Sequence, residues 1–359
     1  MRLVDTVDRP ATVALVLGSG GARGYAHIGA IQVLEERGFS IVAVAGSSMG
    51  ALVGGLHAAG KLGDYTEWVV DLTQLDVVRL LDLSLSAPGA IRAAKVVARV
   101  SDLLDGALIE DLPIPYTAVA TDLAARREVW FQRGPVDVAI RASIAIPGVI
   151  TPVMLNGRLL ADGGILNPVP IAPTAAVHAD HTIAVSLAGD VATGDDAPAG
   201  APEVASAEPR PVEEWTERFR RSAANLLDRD AVRSVTARFG TLRHDDQRDP
   251  DQREDDQRED EAGSRSADPD AFEDLPAGLS KFDIMSQSLD AMQSVLGRYR
   301  MAGYPPDVLV SVPKDACRSL DFHRAEEMIA LGRKLTEAAL DGAGLISGTP
   351  PEGGQAGRG

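Results

Sequence analysis

Ser48 is the residue of this chain best placed to do covalent chemistry. It stands third in Gly46-Ser47-Ser48-Met49-Gly50, a G-x-S-x-G pentapeptide preceded by an apolar run from Ile41 to Ala45 and followed by a helical pattern carrying Ala51, Gly54 and Gly55. In that setting a tight strand-to-helix turn lifts a serine hydroxyl out of the backbone and into a cleft. The plainer reading of the same residues is a glycine-bracketed turn whose serine caps the next helix. A second glycine-rich loop, Gly18-Ser19-Gly20-Gly21-Ala22-Arg23-Gly24, leaves the earlier apolar run Val13 to Leu17. A dinucleotide fingerprint would need glycine where Arg23 stands, and a Walker loop would need a terminal Gly-Lys-Ser/Thr that is absent. Small residues with free N–H groups at a helix N-terminus make a nest for a developing oxyanion, and Gly20, Gly21, Ala22, Arg23 and Gly24 supply one. Arg23 adds a fixed charge that could hold the loop or meet a phosphate headgroup. Two such turns at the ends of successive strands share one edge of a sheet, and together they point to acyl transfer with Ser48 as nucleophile.

A serine hydroxyl needs a base. The six histidines are His27, His57, His178, His181, His244 and His323. None lies in a glycine- or proline-framed turn that would aim it at a cleft, and each reads as an ordinary partly exposed residue. Asp162 does lie in such a turn, in Ala161-Asp162-Gly163-Gly164-Ile165-Leu166-Asn167-Pro168, where the glycines allow a close backbone approach. An aspartate that merely caps a tight turn is the common alternative. A Ser-His-Asp triad using His178, His181 or His323 is the other arrangement of the same chemistry. No His/Cys/Asp cluster has metal-ligand spacing, and neither a metal nor a cofactor is expected.

The elements that must position these residues follow from periodicity. Short β-rich runs at Val13–Leu17, Ile41–Ala45, Tyr116–Thr121, Val129–Gln132 and Thr182–Leu187 alternate with helical patterns at Tyr25–Arg37, Met49–Ala59, Ile91–Leu104, Val136–Ser143 and Ile171–Ala179. That alternation predicts an α/β fold, a mainly parallel sheet covered on both faces. Pro147, Pro152, Pro168 and Pro170 predict a loop-rich stretch near the site. After residue 190 the composition turns to Ala, Pro, Gly and Asp. Val212, Trp215, Phe219, Ala223, Leu226 and Leu227 then recur at helical spacing beside Arg218, Arg220 and Arg221; they are expected to pack on the core, lipid contact being the alternative. Residues 243–261 hold ten acids against four arginines in a five-residue Asp-Gln-Arg repeat with nothing to bury, expected to be a solvated spacer or a docking segment for a basic partner. Order returns near Phe282, with a strand at Val308–Val312 and a helix from Arg324 to Leu340.

The chain has 359 residues, 45% hydrophobic, enough for one large α/β domain or two modest ones, and a net charge of −17, which argues against nucleic acid and against steady docking on anionic lipid. A single cysteine, Cys317, excludes internal disulfides and suits a reducing cytosol. No apolar stretch approaches the roughly eighteen residues of a spanning helix, and the run Val13 to Leu17 is too short for a signal peptide, so a cytoplasmic protein, at most peripheral to a membrane, is expected.

Gly20-Gly21-Ala22-Arg23-Gly24, Gly46-Ser47-Ser48-Met49-Gly50 and Asp162-Gly163-Gly164 resemble, in order and spacing, the three signature blocks of patatin-like phospholipases. Arg141-Ala142-Ser143-Ile144-Ala145-Ile146-Pro147-Gly148 looks like that family's block ahead of the aspartate. The stretch from Tyr304-Pro305-Pro306-Asp307 to Phe322-His323-Arg324 resembles the bacterial branch related to neuropathy target esterase. The resemblance covers about residues 11–190; the cyclic-nucleotide-binding and membrane-anchoring regions of the large esterases have no counterpart in it. It implies a three-layer α/β/α sandwich in which Ser48 attacks a lipid ester and Asp162 takes its proton, with an acyl-enzyme at Ser48 and phospholipid or lysophospholipid as substrate. With the composition and periodicity above, the expected organisation is a tail (1–10), a catalytic core (11–190), a low-complexity, acidic, largely disordered insertion with one amphipathic helix at about 212–228 (191–278), C-terminal helices and a strand completing the core (279–342) and a disordered tail (343–359). A serine esterase for small soluble esters, or a catalytically silent protein working through its acidic insertion, are the competing readings.

Overall fold

The strands in the interior of the sheet are the most deeply buried. β1 (Thr12–Leu17) and β3 (Tyr116–Asp122) are buried almost throughout, as central strands covered on both faces must be. The computed structural model describes residues 9–80, 94–147, 149–189 and 281–345. These belong to one compact unit formed by residues 1–196 and 277–359; a second unit, 197–276, lies outside the described residues, as do the amphipathic helix expected at 212–228, the acidic repeat and the tail beyond residue 345.

The described residues form an eight-stranded sheet in the order β5-β6-β3-β2-β1-β7-β8, with β4 paired to β3. Besides β1 and β3 it contains β2 (Ser40–Ser47), β4 (Arg127–Phe131), β5 (Val153–Leu155), β6 (Arg158–Asp162), β7 (His181–Gly189) and β8 (Val308–Pro313). Strands β3, β2, β1, β7 and β8 run parallel, while β4, β6 and β5 are antiparallel additions. Helices α1 (Ala26–Glu36), α2 (Met49–Ala58), α3 (Leu62–Val70), α4 (Gln74–Leu80), α5 (Ala94–Leu104), α6 (Val136–Ser143), α7 (Lys281–Gly303) and α8 (Ala325–Gly342) complete the architecture.

Side chains alternate across the strands and so feed two apolar layers. Val13, Leu15 and Leu17 of β1 join the main core with α1, α2 and α8, whereas Val16 joins Val169, Ile171, Ala184 and Met301 of α7 on the opposite face. This is the expected mainly parallel α/β sandwich. α1 and α8 cross closely, since a β-carbon at Gly332 would strike the Ala26 backbone. Arg333 reaches Glu36 across the same pair, 2.6 and 2.8 Å.

Two local expectations need correction. Ile171–Ala179 is not a helix: only a 3-10 turn forms at Ala172–Thr174. The chain must return at once to the start of β7, where the Asp180 carboxylate accepts the Thr12 N–H at 2.8 Å, and Pro173 removes a backbone donor from the turn. The stretch expected to be loops holds the β5–β6 hairpin instead, turned by Asn156 and Gly157 with φ of 50° and 75°. Positive φ at both central residues is the tight-hairpin geometry that Asn-Gly favours.

That hairpin decides the site. Ala118 pairs with Gly46 of β2 on one edge and Phe131 of β4 on the other. Ala120 pairs with Val129 of β4 and with Asp162 of β6. β2 and β6 therefore lie on the same edge of β3, β2 ending at Ser47 opposite Val119 and β6 ending at Asp162 opposite Ala120. The two strands meet head-on, and the residues that leave their ends are brought together.

Candidate active site

Ser48 occupies the turn between β2 and α2 with φ 55° and ψ −122°, a conformation that a residue bearing a side chain adopts only under tertiary constraint. The pentapeptide glycines let the turn close: a β-carbon at Gly46 would strike the Gly50 carbonyl, and one at Gly50 would strike the carbonyl of Leu17 at the end of β1. Ser48 and Asp162 are each only 2% exposed, and the Ser48 hydroxyl donates to Asp162 Oδ2. Asp162 Oδ1 accepts the Gly164 N–H at 2.7 Å, fixing the carboxylate at the head of the 3-10 turn Gly163–Ile165. Burial outweighs both hydrogen bonds and pushes the Asp162 carboxyl up to about 7.

The structure brings the three glycine motifs into one place. A β-carbon at Gly24 would run into Met49, the residue after Ser48, and one at Gly164 would run into Ser19. Gly21 has φ 59° and begins a 3-10 turn, Gly21–Tyr25, ahead of α1. Of the five residues expected to offer backbone donors, Ala22 is otherwise engaged: its N–H bonds Ser319 O at 2.9 Å. The N–H groups of Gly20 and Gly21 meet no acceptor among the described residues. Arg23 is buried, donating to Gly20 O at 3.2 Å and Lys314 O at 3.0 Å, with Asp290 of α7 at 3.6 Å. Of its two expected roles, it holds the loop.

Among the described residues no histidine is hydrogen-bonded to Ser48. His27 is fully buried in α1, its Nε2 bonded to Gly18 O at 2.8 Å, and burial pushes its pKa down to about 4. His57 in α2 is likewise pushed down to about 4 by burial. His181 pairs with Val13 at the start of β1, whereas the site lies at the other end of that strand, where Leu17 pairs with Gly46; at about 3.3 Å per residue the separation is roughly 13 Å. Among the described residues no cluster of His, Cys, Asp and Glu could hold a metal ion.

Three polar residues around the site carried no role in the sequence. Ser47 Oγ donates to Asn167 O at 2.7 Å, tying the turn that carries Ser48 to the chain just past Asp162. Asn167 Nδ2 donates to Glu128 Oε2 at 3.0 Å, and Glu128 is paired with Arg300 of α7. Ser143, the last residue of α6, accepts the Ser48 N–H at 2.9 Å. Asn167 before Pro168 signalled a constrained turn, and Ser47 and Ser143 stand in motifs already singled out, but the contacts they make join distant segments that no local pattern reveals.

The family described as patatin-like phospholipase matches residues 15–175. An uncharacterized NTE family protein of Mycobacterium tuberculosis is 53% identical over 337 residues, covering 92% of this chain and 91% of its own length. Human patatin-like phospholipase domain-containing protein 6 is 32% identical over 183 residues, 49% of this chain and 13% of that protein. Among solved structures, VipD from Legionella pneumophila overlaps 52% of this chain and 51% of its own with a TM-score of 0.33 and 15% identity. At 53% identity along nine-tenths of a mycobacterial NTE family protein, the chain belongs to the patatin-like phospholipase family, in the branch of neuropathy target esterase.

Proposed function

We propose that this protein is a serine lipid acyl-hydrolase in which Ser48 and Asp162 form a catalytic dyad. The observation that carries the reading is the Ser48 hydroxyl donated to a buried carboxylate beside two unengaged backbone N–H groups. Ser48 Oγ attacks the ester carbonyl carbon while Asp162 Oδ2 takes its proton. The carbonyl oxygen becomes an oxyanion facing the Gly20 and Gly21 N–H groups, and one such donor is worth about 3 kcal/mol in other hydrolases. Asp162 returns the proton to the departing alcohol, leaving an acyl ester on Ser48. Water, deprotonated by the same carboxylate, then attacks that ester and releases the fatty acid. A carboxyl near pH 7 is a serviceable base at neutral pH, where an ordinary aspartate near 3.9 would be a weak one. An alcohol leaving group suits this arrangement better than an amine, which needs stronger acid help.

Phospholipid or lysophospholipid is the substrate class we favour, met by transient contact with a lipid surface. Support comes from α7, whose inward face lines a cavity with Ser19 and Pro168 beside the first glycine loop. Its outward face exposes Ile284, Met285, Met292, Val295 and Tyr299, the last at 81%. On that face, from Ile284 to Gly303, the exposed positions carry one charge, Arg298, while the partly exposed Asp290 and Arg300 lie on the other side of the helix against Arg23 and Glu128. On a chain of net charge −17 this apolar, acid-free face fits a zwitterionic lipid surface. Among the described residues no helix is long and apolar enough to cross a membrane, and the free buried Cys317 suits a cytoplasmic setting.

Fluorophosphonate labelling of the purified protein beside Ser48→Ala and Asp162→Asn tests the dyad. Labelling of wild type with loss in both variants is expected; a folded wild type that does not label sinks the reading. An acyl-chain series separates lipid from soluble esters, since the lipid reading requires activity to fall steeply on short chains.

A further inference from the structure

The parallel ladder between β2 and β3 ends at Ser47 opposite Val119. The next N–H of β2, that of Ser48, makes no ladder bond. It donates instead to Ser143 Oγ at 2.9 Å, and Ser143 Oγ in turn donates to Val119 O at 2.6 Å. The hydroxyl is therefore inserted between an N–H and a C=O of neighbouring strands, a one-atom spacer where β2 leaves the sheet. Ser143 is fully buried, so water cannot take over this bridge without a rearrangement. Two residues on, the carbonyl of Ala145 accepts the Asp162 N–H at 2.9 Å. A single segment at the end of α6 thus holds the backbone of the nucleophile with a side chain and the backbone of the base with its main chain.

We propose that residues 143–145 are the positioning device of the dyad, with Ser143 as its positioning residue: its hydroxyl spaces β2 from β3 at Ser48 so that the serine hydroxyl falls on Asp162. The proposal rests on the assignment of Ser48 and Asp162 given above. It has a corollary for the reaction. The Ser48 N–H is consumed by Ser143 and contributes nothing to the oxyanion, which leaves that task to the first glycine loop. Without the spacer, Ser48 is free to draw toward Val119 and away from Asp162. The carboxyl then loses the hydrogen bond that opposes the effect of burial, and it ionises at higher pH.

The test uses the full-length chain as wild type, Ser48→Ala, Ser143→Ala, Ser143→Cys and Ser143→Thr. Fluorophosphonate labelling rates and p-nitrophenyl ester kinetics are measured from pH 5 to 9. Ser143→Ala is expected to lower kcat and the labelling rate about 10- to 100-fold, the scale of a 1 Å misplacement. KM should stay within about twofold, because no contact to substrate is removed. The midpoint of the rise in rate with pH should move in the alkaline direction, which a general loss of folded protein would not produce. Ser143→Thr, which keeps the hydroxyl, should recover most of the rate, and Ser143→Cys, a weaker bridge, less. Should Ser143→Ala fail to fold, the order of Thr over Cys and the midpoint in Cys decide the matter. A Ser143→Ala that labels at the wild-type rate overturns the proposal, as does a slowed variant with an unmoved midpoint. A wild type that labels no more than Ser48→Ala overturns the dyad itself, and the tether falls with it.

Discussion

Asp162 is a carboxyl kept out of water by the same packing that aims it at Ser48, and its behaviour with pH follows from that conflict. The native protein retains the Asp162 proton up to about pH 7, whereas an unfolded chain releases it near pH 3.9. Below both values the group is neutral in either state and burial carries no ionisation cost. As pH rises from about 4 to 7 only the unfolded state gains charge, and stability falls by about 4 kcal/mol from this group. Asp162→Asn removes that loss. The variant should match wild type in thermal unfolding at pH 4, unfold at a higher temperature at pH 8, and be inactive at both. An equal difference at the two pH values would contradict it. Wild-type activity should rise through a midpoint near pH 7 as the base forms, read from kcat/KM against pH. Ser48 adds to the same trade, since its backbone conformation costs about 1–3 kcal/mol that the surrounding bonds must offset.

Among the elements, α7 joins the two sides of the lipid question. Inward, Asp290 and Arg300 meet Arg23 and the Leu166 carbonyl, at the first glycine loop and just past the Asp162 turn. Outward, it exposes Met292, Val295 and Tyr299 one helical turn apart. Paired substitution Met292→Asp and Val295→Asp should reduce cosedimentation with phosphatidylcholine vesicles at least about fivefold, since each charge opposes insertion of the face. Unchanged vesicle binding would count against a lipid role for α7, and a change of oligomeric state in the variant would mark the face as a contact between copies. The β5–β6 hairpin shows how an element escapes periodicity. Its strands are too short for a clear alternation, and only the Asn156-Gly157 turn announced it.

At the scale of the molecule, the first glycine loop depends on chain far beyond the segment that carries the motifs. Ser319 and Lys314 supply carbonyls to Ala22 and Arg23. β8 pairs along β7, and α8 covers α1. A chain ending at residue 280 would retain every signature block yet expose the edge of β7 and the apolar face of α1. It should be insoluble or unlabelled by a fluorophosphonate, as measured by soluble yield and probe fluorescence. Soluble, fully labelled material would show that the first 280 residues suffice.

The sequence alone determined the α/β class and marked the turns at Ser48 and Asp162, because β-rich runs and glycine-framed turns have a local signature, although Gly50, Gly163 and Gly164 are required by close packing on segments distant in the chain. It also identified Asp162 as the framed carboxylate, though at that point a capping aspartate was equally available. Only the tertiary structure decided that β2 and β6 share one edge of β3, which turns two separate turns into one hydrogen bond. Only it showed Ala22 withdrawn from the nest, and Ser143 and Ser47 drawn into the site. Those contacts join residues some 95 to nearly 300 positions apart. Such partners are selected by packing and strand register, which no window of sequence contains.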